Sequence, residues 1–243
     1  MSFLHIERIG KVYAANGSEL RVLDDLSLTV EEGEFIVIVG PSGCGKSTLL
    51  RTVAGLEPPT SGQTTLRGEI VNGWGRDRTL IFQEYNLFPW LTARQNMAFG
   101  LRLMGQSEAE RHRVADEWLE HLGLAAFADY YPHELSGGMQ QRVALGRALA
   151  VDPTVLLMDE PFAAVDALTR TRLQREVRAV CQGKTVLFVT HSIREAILLA
   201  DRIVILTHRP ARVRREITVD LPHPRSIGAE EAALESSIES ELL

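Results

Sequence analysis

The sequence is poor in the features that mark secreted, membrane-spanning or nucleic-acid-binding chains. It has only two cysteines among 243 residues, Cys44 and Cys181, too few for the disulfide framework of a small secreted domain. Its purest apolar run, Phe35 to Val39, is strand-sized and far shorter than the roughly 18 residues that a membrane helix needs. The formal net charge of −6 argues against a broad nucleic-acid surface, which would be basic.

The first residues also lack the apolar segment of a secretory signal, since charges occur within the first eight positions. We therefore expect a soluble protein that reaches a membrane only through a partner. With 45% apolar and 24% charged side chains, the composition is ordinary for a globular protein. The length suits one large domain with a sizeable core.

Apolar patterning predicts alternating strands and helices with a helical insertion. Alternation favours strands over residues 3–9 and 20–30, and a helical period dominates from about 91 to 150 and returns over 167–182 and 192–200. Further strands are expected at "EFIVIV", "RTLIFQ", "TVLLMD", "KTVLFVT" and "RIVIL". This order predicts a parallel-rich sheet with helices on both faces and an inserted helical lobe.

A glycine-rich segment follows the strand predicted at "EFIVIV". Residues 40–48, "GPSGCGKST", fit the phosphate-loop pattern, in which glycines let backbone N–H groups turn toward an anion at a helix N-terminus. We expect Lys46 to reach the β- and γ-phosphates and the Ser47 hydroxyl to bind Mg²⁺. A disulfide at Cys44 would obstruct this loop, so both cysteines are predicted to be free thiols in a reducing compartment. The candidate phosphate-binding residues are Gly40, Pro41, Ser42, Gly43, Cys44, Gly45, Lys46, Ser47 and Thr48.

Two carboxylates follow the apolar strand predicted at "VLLMD". A buried strand that ends in acids is costly unless the acids meet a metal or a proton-bearing substrate. We expect Asp159 to support Mg²⁺ and Glu160 to polarise an attacking water. Two acids after a strand are weak evidence alone, and they become specific in combination with the phosphate loop.

A second glycine-rich helix start occurs in "LSGGMQQR". Ser136 is placed as an N-cap, and Gly137 and Gly138 open the helix, which makes a second candidate anion site. The helical lobe intervenes between this site and the phosphate loop, so one nucleotide cannot easily touch both within a chain. The pattern therefore predicts a head-to-tail dimer in which each such helix covers the γ-phosphate bound by the other subunit.

With these motifs, the chain resembles the ATP-binding subunits of ABC transporters over essentially residues 3–220. The resemblance implies an α/β fold of the P-loop NTPase type, with a RecA-like core, an antiparallel β subdomain and a helical subdomain inserted at about 87–150. It places an ABC ATPase domain at 1–220 and an acidic C-terminal tail at 221–243. Leu234, Ile238 and Leu242 of the tail share one face if it is helical, and a surface helix or frayed end is the simplest interpretation.

The resemblance also implies roles for single residues. Gln83 would join the Mg²⁺ shell and sense the permease, His191 would bond the γ-phosphate, Tyr13 would stack on adenine, and Asp166 would link the two ATP sites. A solvated strand end for Gln83 and a core-facing tyrosine at position 13 remain open alternatives. The implied catalytic residues are Glu160, His191 and Lys46, and the implied metal ligands are Ser47, Gln83 and Asp159. The chain departs mildly from the family pattern in two places. One is the loop Ala163-Ala164-Val165-Asp166, and the other is Met139, which follows the glycine pair of "LSGGMQQR".

The segment after Gln83, "EYNLFPWLTARQNMAFGL", is aromatic and contains proline. In the family this region receives a helix of the permease, and Phe88 and Trp90 are candidate anchors, with core packing as the alternative for each. The chain looks most like the nitrate, sulfonate and taurine importer branch.

That branch implies a homodimer that uses ATP and Mg²⁺ beneath an integral membrane permease, with an external substrate-binding protein and no nucleic acid. The expected location is the cytoplasmic face of the inner membrane. A soluble ABC ATPase of metal-cluster assembly is the alternative, and a non-enzymatic nucleotide-binding scaffold would require a damaged catalytic set. The sequence does not identify the solute.

Overall fold

The computed structural model describes residues 3–15, 17–163, 165, 167–225 and 228–242. Its strands are β1 (Leu4–Ala15), β2 (Ser18–Val30), β3 (Phe35–Val39), β4 (Ser61–Leu66), β5 (Glu69–Ile70), β6 (Arg78–Ile81), β7 (Val155–Asp159), β8 (Thr185–Thr190), β9 (Arg202–Leu206) and β10 (Val213–Thr218). Its α-helices are α1 (Lys46–Val53), α2 (Ala93–Leu103), α3 (Glu108–His121), α4 (Gly137–Ala150), α5 (Ala167–Val180), α6 (Ile193–Leu199) and α7 (Ala229–Leu242). Short 3₁₀ turns lie at Ala125–Phe127 and Pro132–Glu134.

The central sheet has six strands in the order β10-β9-β3-β8-β7-β6. All neighbouring pairs are parallel except β10 with β9. Every residue of β3, β7 and β8 is buried, as expected for strands that are covered on both faces. The predicted parallel-rich sheet is confirmed.

The two faces of this sheet contact different layers. Phe35, Val37 and Val39 of β3 belong to a core shared with α2–α6, while Ile36 and Ile38 belong to a core shared with α1 and the second sheet. The division follows the two-residue period of a strand. The second sheet is antiparallel, with the order β2-β1-β4-β5, and corresponds to the expected antiparallel β subdomain.

Helices α2, α3 and α4 pack against one another between β6 and β7 in the chain. They form the helical lobe that the periodicity predicted. Their boundaries differ slightly from the prediction, since Thr92 caps α2 and the helix begins at Ala93. Strand β6 ends at Ile81, two residues before the predicted end at Gln83.

The C-terminal tail forms a packed helix rather than a frayed end. Ile238 of α7 is fully buried, and Leu234 packs against the same core. Glu235 accepts from Arg194 at 2.9 Å, which ties α7 to α6. In the described part of the chain, no helix combines the length and the apolar character needed to cross a membrane.

Candidate functional site

The phosphate loop, residues 40–48, joins the carboxyl end of β3 to the first turn of α1. Gly45 precedes α1 with a φ of +127°, and a Cβ there would lie 2.8 Å from Val22 Cγ1, so the position requires glycine. No side chain caps α1, whereas serine or threonine side chains cap α2, α3, α4 and α6. The N–H groups of the first turn of α1 are therefore available to an anion.

Two buried side chains of opposite charge lie at this loop, each without an ion-pair partner among the described residues. Lys46 is 5% exposed and donates to the carbonyl oxygens of Gly40 and Pro41 at 2.8 and 3.1 Å. Asp159, which ends β7, is 6% exposed and accepts from the Ser47 hydroxyl at 3.0 Å. Burial raises the pKa of Asp159. Unpaired buried charges are costly, and a magnesium–phosphate ligand would bring an anion to Lys46 and a cation to Asp159, whose carboxylate and neighbouring hydroxyl suit Mg²⁺.

Glu160 and His191 meet at the same edge of the sheet because they follow the adjacent parallel strands β7 and β8. His191 Nδ1 lies 2.8 Å from Glu160 Oε2. Glu160 has a φ of +44°, in the left-handed region, and its N–H donates to the Val189 carbonyl at 2.9 Å. Strand β8 therefore holds a strained backbone next to the carboxylate. The Glu160 side chain is 21% exposed, which leaves it accessible to a water molecule.

Tyr13, near the end of β1, is half-buried beside the end of the phosphate loop. Its hydroxyl donates to the Glu57 carboxylate and lies 3.5 Å from Thr48 Oγ1. Lys11 Nζ lies 5.1 Å from the ring centroid. The ring is thus held at the margin of the core, beside the end of the phosphate loop.

Gln83 lies two residues beyond β6 with an exposed side chain. Together with the residues that follow it to Leu87, it lines a cavity of about 610 Å³ whose other walls are Pro132, Gln140 and Ala163. The cavity therefore brings Gln83 near the start of α4 and near the segment that follows Glu160.

Ser136, Gly137 and Gly138 begin α4, as the sequence predicted. The Ser136 side chain accepts from the Met139 N–H at 3.3 Å, and Gly137 is exposed. Helix α4 packs against α2, α3, α5 and β6, whereas α1 packs against β2, β7 and β8. Within the described residues, no hydrogen bond joins 136–138 to the phosphate loop, so the two glycine-rich helix starts do not form one site within the chain.

Comparison with known proteins agrees with this arrangement. The ABC transporter family model matches residues 23–163, which is more than half of the chain and includes the phosphate loop, the start of α4 and Glu160. The chain belongs to the ABC transporter family as an ATP-binding subunit.

Relatives of this ABC ATPase cover nearly its whole length. An uncharacterised ABC transporter ATP-binding protein of Methanocaldococcus jannaschii is 50% identical over 224 residues, 91% of this chain and 84% of the relative. The nitrate import ATP-binding protein NrtD of a Synechocystis species is 46% identical over 221 residues, 90% of this chain and 83% of the relative.

Among solved structures, a dimeric post-hydrolysis state of an ATP-binding cassette, bound to ADP and phosphate, is similar with a TM-score of 0.80. It is 34% identical, and the match covers 90% of this chain and 100% of that chain. The predicted fold is confirmed, and the protein is an ATPase that binds and hydrolyses ATP.

In this ABC ATPase, Asn96 holds the aromatic segment after Gln83, although sequence reasoning did not single it out. The side chain is fully buried. Its Oδ1 accepts from the Phe88 N–H at 2.8 Å, and its Nδ2 donates to the carbonyls of Phe88, Leu91 and Thr92 at 3.2, 2.9 and 3.0 Å. The sequence signal that could have identified Asn96 was an amide side chain among the apolar positions of α2.

Arg147 of α4 holds the same segment from the other side, and it was also missed. Its guanidinium donates to the carbonyls of Asn86 and Tyr85 at 2.8 and 3.0 Å and lies 5.6 Å from the Phe88 ring centroid. Burial lowers its pKa. An arginine within the apolar run "RVALGRALA" was the signal that could have found it.

The two candidate anchors in this segment differ in exposure. Phe88 is half-buried, with its ring centroid 4.3 Å from that of Phe99, whereas Trp90 is 69% exposed. Asp166 lies outside the described residues. The sequence also predicted two free thiols, and Cys44 and Cys181 are both unpaired and buried, which confirms that prediction.

Proposed function

We propose that this ABC ATPase drives an importer for a small anion of the nitrate, sulfonate or taurine type. It works as a homodimer at the cytoplasmic face of the inner membrane, beneath a separate permease that receives solute from an external binding protein. The observation that carries the catalytic part is the pair of buried charges, Lys46 and Asp159, which have no ion-pair partner among the described residues and lie beside the Glu160–His191 contact. The similarity to NrtD supports an anion as the solute.

In the proposed site, backbone N–H groups of the phosphate loop at the start of α1 and the Lys46 ammonium hold the phosphates of ATP. Tyr13 stacks on the adenine. Ser47, Gln83 and Asp159 would hold Mg²⁺, with Asp159 acting through the water shell of the ion, and the ion would neutralise charge on the phosphate oxygens.

Glu160 takes a proton from the attacking water, whose oxygen bonds to the γ-phosphorus as the bond to the ADP oxygen breaks. His191 orients the Glu160 carboxylate through the 2.8 Å contact and bonds the γ-phosphate. Ser136, Gly137 and Gly138 of the second protomer cover that phosphate, and Asp166 links the two sites. The separation of the two helix starts within one chain supports this shared arrangement.

Closure of the ATPase dimer is transmitted to the permease through Gln83 and through the segment that Asn96 and Arg147 hold. The exposed Trp90 and the half-buried Phe88 provide an aromatic surface for a permease helix. This contact distinguishes an importer subunit from a soluble ABC ATPase of metal-cluster assembly. Copurification with an integral membrane permease supports the importer, whereas recovery in a stable soluble complex contradicts it.

The central test of the catalytic assignment is Glu160→Gln. The variant should bind ATP, stay dimeric and lose hydrolysis by about 10²- to 10⁴-fold, the usual contribution of a general base. Steady-state phosphate release and ATP binding are measured on the same sample. Lys46→Ala should instead lose nucleotide binding. Normal turnover by Glu160→Gln refutes the role of Glu160, and unchanged ATP affinity of Lys46→Ala refutes the role of the loop.

A further inference from the structure

A second cavity lies between α5, α6 and the segment His223–Arg225, away from the phosphate loop. Its volume is about 650 Å³, within the range of cavities that bind small molecules. Leu198, Leu199 and Pro224 give it apolar walls. Its polar walls are dominated by guanidinium groups, and we call it the arginine cavity. The arginines that line it are Arg170, Arg175, Arg178, Arg194 and Arg225.

The arginine cavity carries an excess of positive charge in a chain whose formal net charge is −6. Glu195 contributes the one carboxylate among its lining residues. Arg178 pairs with Asp201 at 2.5 Å, and Arg194 pairs with Glu235 at 2.9 Å. In the part of the chain that the structure describes, the other three arginines of the cavity form no ion pair.

Two of the charged lining residues have structural roles that account for their burial. Glu195 accepts from Gln174 at 3.1 Å and from the Thr190 hydroxyl at 2.6 Å, so both its oxygens are used within the protein. Arg225 donates to the carbonyls of Ile197 and Ala200 at the end of α6, at 2.8 and 2.5 Å. It therefore caps that helix, and its charge is favourable at a helix C-terminus.

Arg170 and Arg175, five residues apart on α5, have no such role. Arg170 donates through Nη2 to the Val165 carbonyl at 2.8 Å, but its Nε is buried without a hydrogen-bond partner. Arg175 is exposed and has no partner among the described residues. A guanidinium presents a planar set of donors that matches carboxylate and phosphate oxygens, and a buried N–H without an acceptor is destabilising.

We propose that the arginine cavity binds a small organic anion, a carboxylate or phosphate on an apolar body, with Arg170 and Arg175 as its ligands. The anionic group offsets the excess positive charge of the cavity, and the apolar body matches Leu198, Leu199 and Pro224. Binding at this cavity does not depend on the proposed transport function.

The walls of the arginine cavity touch two segments of the proposed hydrolysis site. Arg170 bonds Val165, next to the Asp166 position, and Glu195 bonds Thr190, which precedes His191. An anion that draws Arg170 toward the cavity therefore acts on the segment after Glu160, and occupancy should change the ATPase rate. This second step rests on the proposed roles of Glu160 and His191.

Isothermal titration calorimetry of nucleotide-free Lys46→Ala protein tests binding without a contribution from the phosphate loop. Isophthalate, with two carboxylates on an apolar ring, should bind at one site per chain. Arg175→Gln should weaken isophthalate binding about tenfold, since the substitution removes a charge-assisted contact.

Arg172→Gln is the matched control, because Arg172 is exposed on the same helix, pairs with Glu176 and does not line the cavity. Arg172→Gln should leave the affinity for isophthalate unchanged. The uncharged isophthalamide should bind at least about tenfold more weakly than isophthalate.

Phenyl phosphate repeats the titration to separate carboxylate from phosphate recognition. If neither probe shows saturable binding, the proposal is overturned. It is also overturned if Arg172→Gln and Arg175→Gln weaken isophthalate binding equally, because the anion would then be attracted only to a basic helix. The ATPase rate of the wild-type protein is then measured with saturating isophthalate. An unchanged rate overturns the coupling to hydrolysis. Because the titration uses an inactive protein, failure of the Glu160 assignment leaves its result intact.

Discussion

At the scale of single residues, Asn96 shows how one buried amide can fix a functional surface. Its four hydrogen bonds to Phe88, Leu91 and Thr92 hold the loop that leads into α2. No apolar residue of similar volume could replace it, because the Phe88 N–H and the Leu91 carbonyl would lose the partner that the amide provides. The aromatic surface that we propose to face the permease therefore depends on Asn96, a residue that is itself buried.

Asn96→Ala should lower the free energy of unfolding by about 2–4 kcal/mol, since the Phe88 N–H and the Leu91 carbonyl lose their partner and a buried side chain is truncated. For a protein of this size, the melting temperature should fall by roughly 5–15 °C. Thermal unfolding followed by circular dichroism measures the change. Gln95→Ala, an exposed neighbour that removes only a capping contact, should cost less than about 1 kcal/mol. Equal melting temperatures for the two variants would contradict the role given to Asn96.

Sequence patterns predicted the residues of the phosphate loop and the pair Asp159–Glu160 because each pattern is local. A glycine-rich loop between a strand and a helix specifies its own backbone, and two acids after a buried strand specify their own position. The contacts of Arg147 and Glu57 were not predictable in this way. Arg147 reaches carbonyls 61 and 62 residues away in sequence, and Glu57 reaches Tyr13 from 44 residues away. Such partners depend on tertiary packing, which periodicity does not contain.

At the scale of elements, the buried strands were predicted and the mostly exposed strand β10 was missed. Strands β3, β7 and β8 are continuous apolar runs, so their burial on both faces could be predicted from composition. Strand β10 reads "VRREIT" and is mostly exposed, so it lacks the apolar alternation that marks a strand. The spacing of Leu234 and Ile238 indicated a helical face for the tail, but it did not indicate where that face packs.

The packing of α7 predicts that Ile238 stabilises the whole domain. Ile238→Ala should lower the free energy of unfolding by about 2–5 kcal/mol, the range for truncation of a buried isoleucine. Chemical denaturation with urea measures this change. Ser236→Ala, an exposed substitution on the same helix, should stay within about 0.5 kcal/mol of the parent. If Ile238→Ala unfolds at the same urea concentration as the parent, α7 does not pack as described.

At the scale of the whole molecule, the two glycine-rich helix starts lie in different lobes of one chain. The phosphate loop opens α1 in the core, and Ser136 opens α4 in the helical lobe. In the proposed head-to-tail dimer, each start of α4 would lie at the phosphate loop of the other protomer, and a closed pair of this kind has twofold symmetry. The proposed catalytic site is therefore shared between two chains.

A mixing experiment in a Glu160→Gln background tests this shared site. Lys46→Ala disables the phosphate loop, and Gly137→Asp places a carboxylate where the γ-phosphate of the partner's nucleotide should lie. Each variant alone should retain no labelled ATP after rapid gel filtration. An equal mixture should retain about one quarter of the parent's ATP, because half of the dimers are mixed and each mixed dimer has one intact site. If the site were complete within one chain, every protomer in the mixture would be defective and no ATP would be retained.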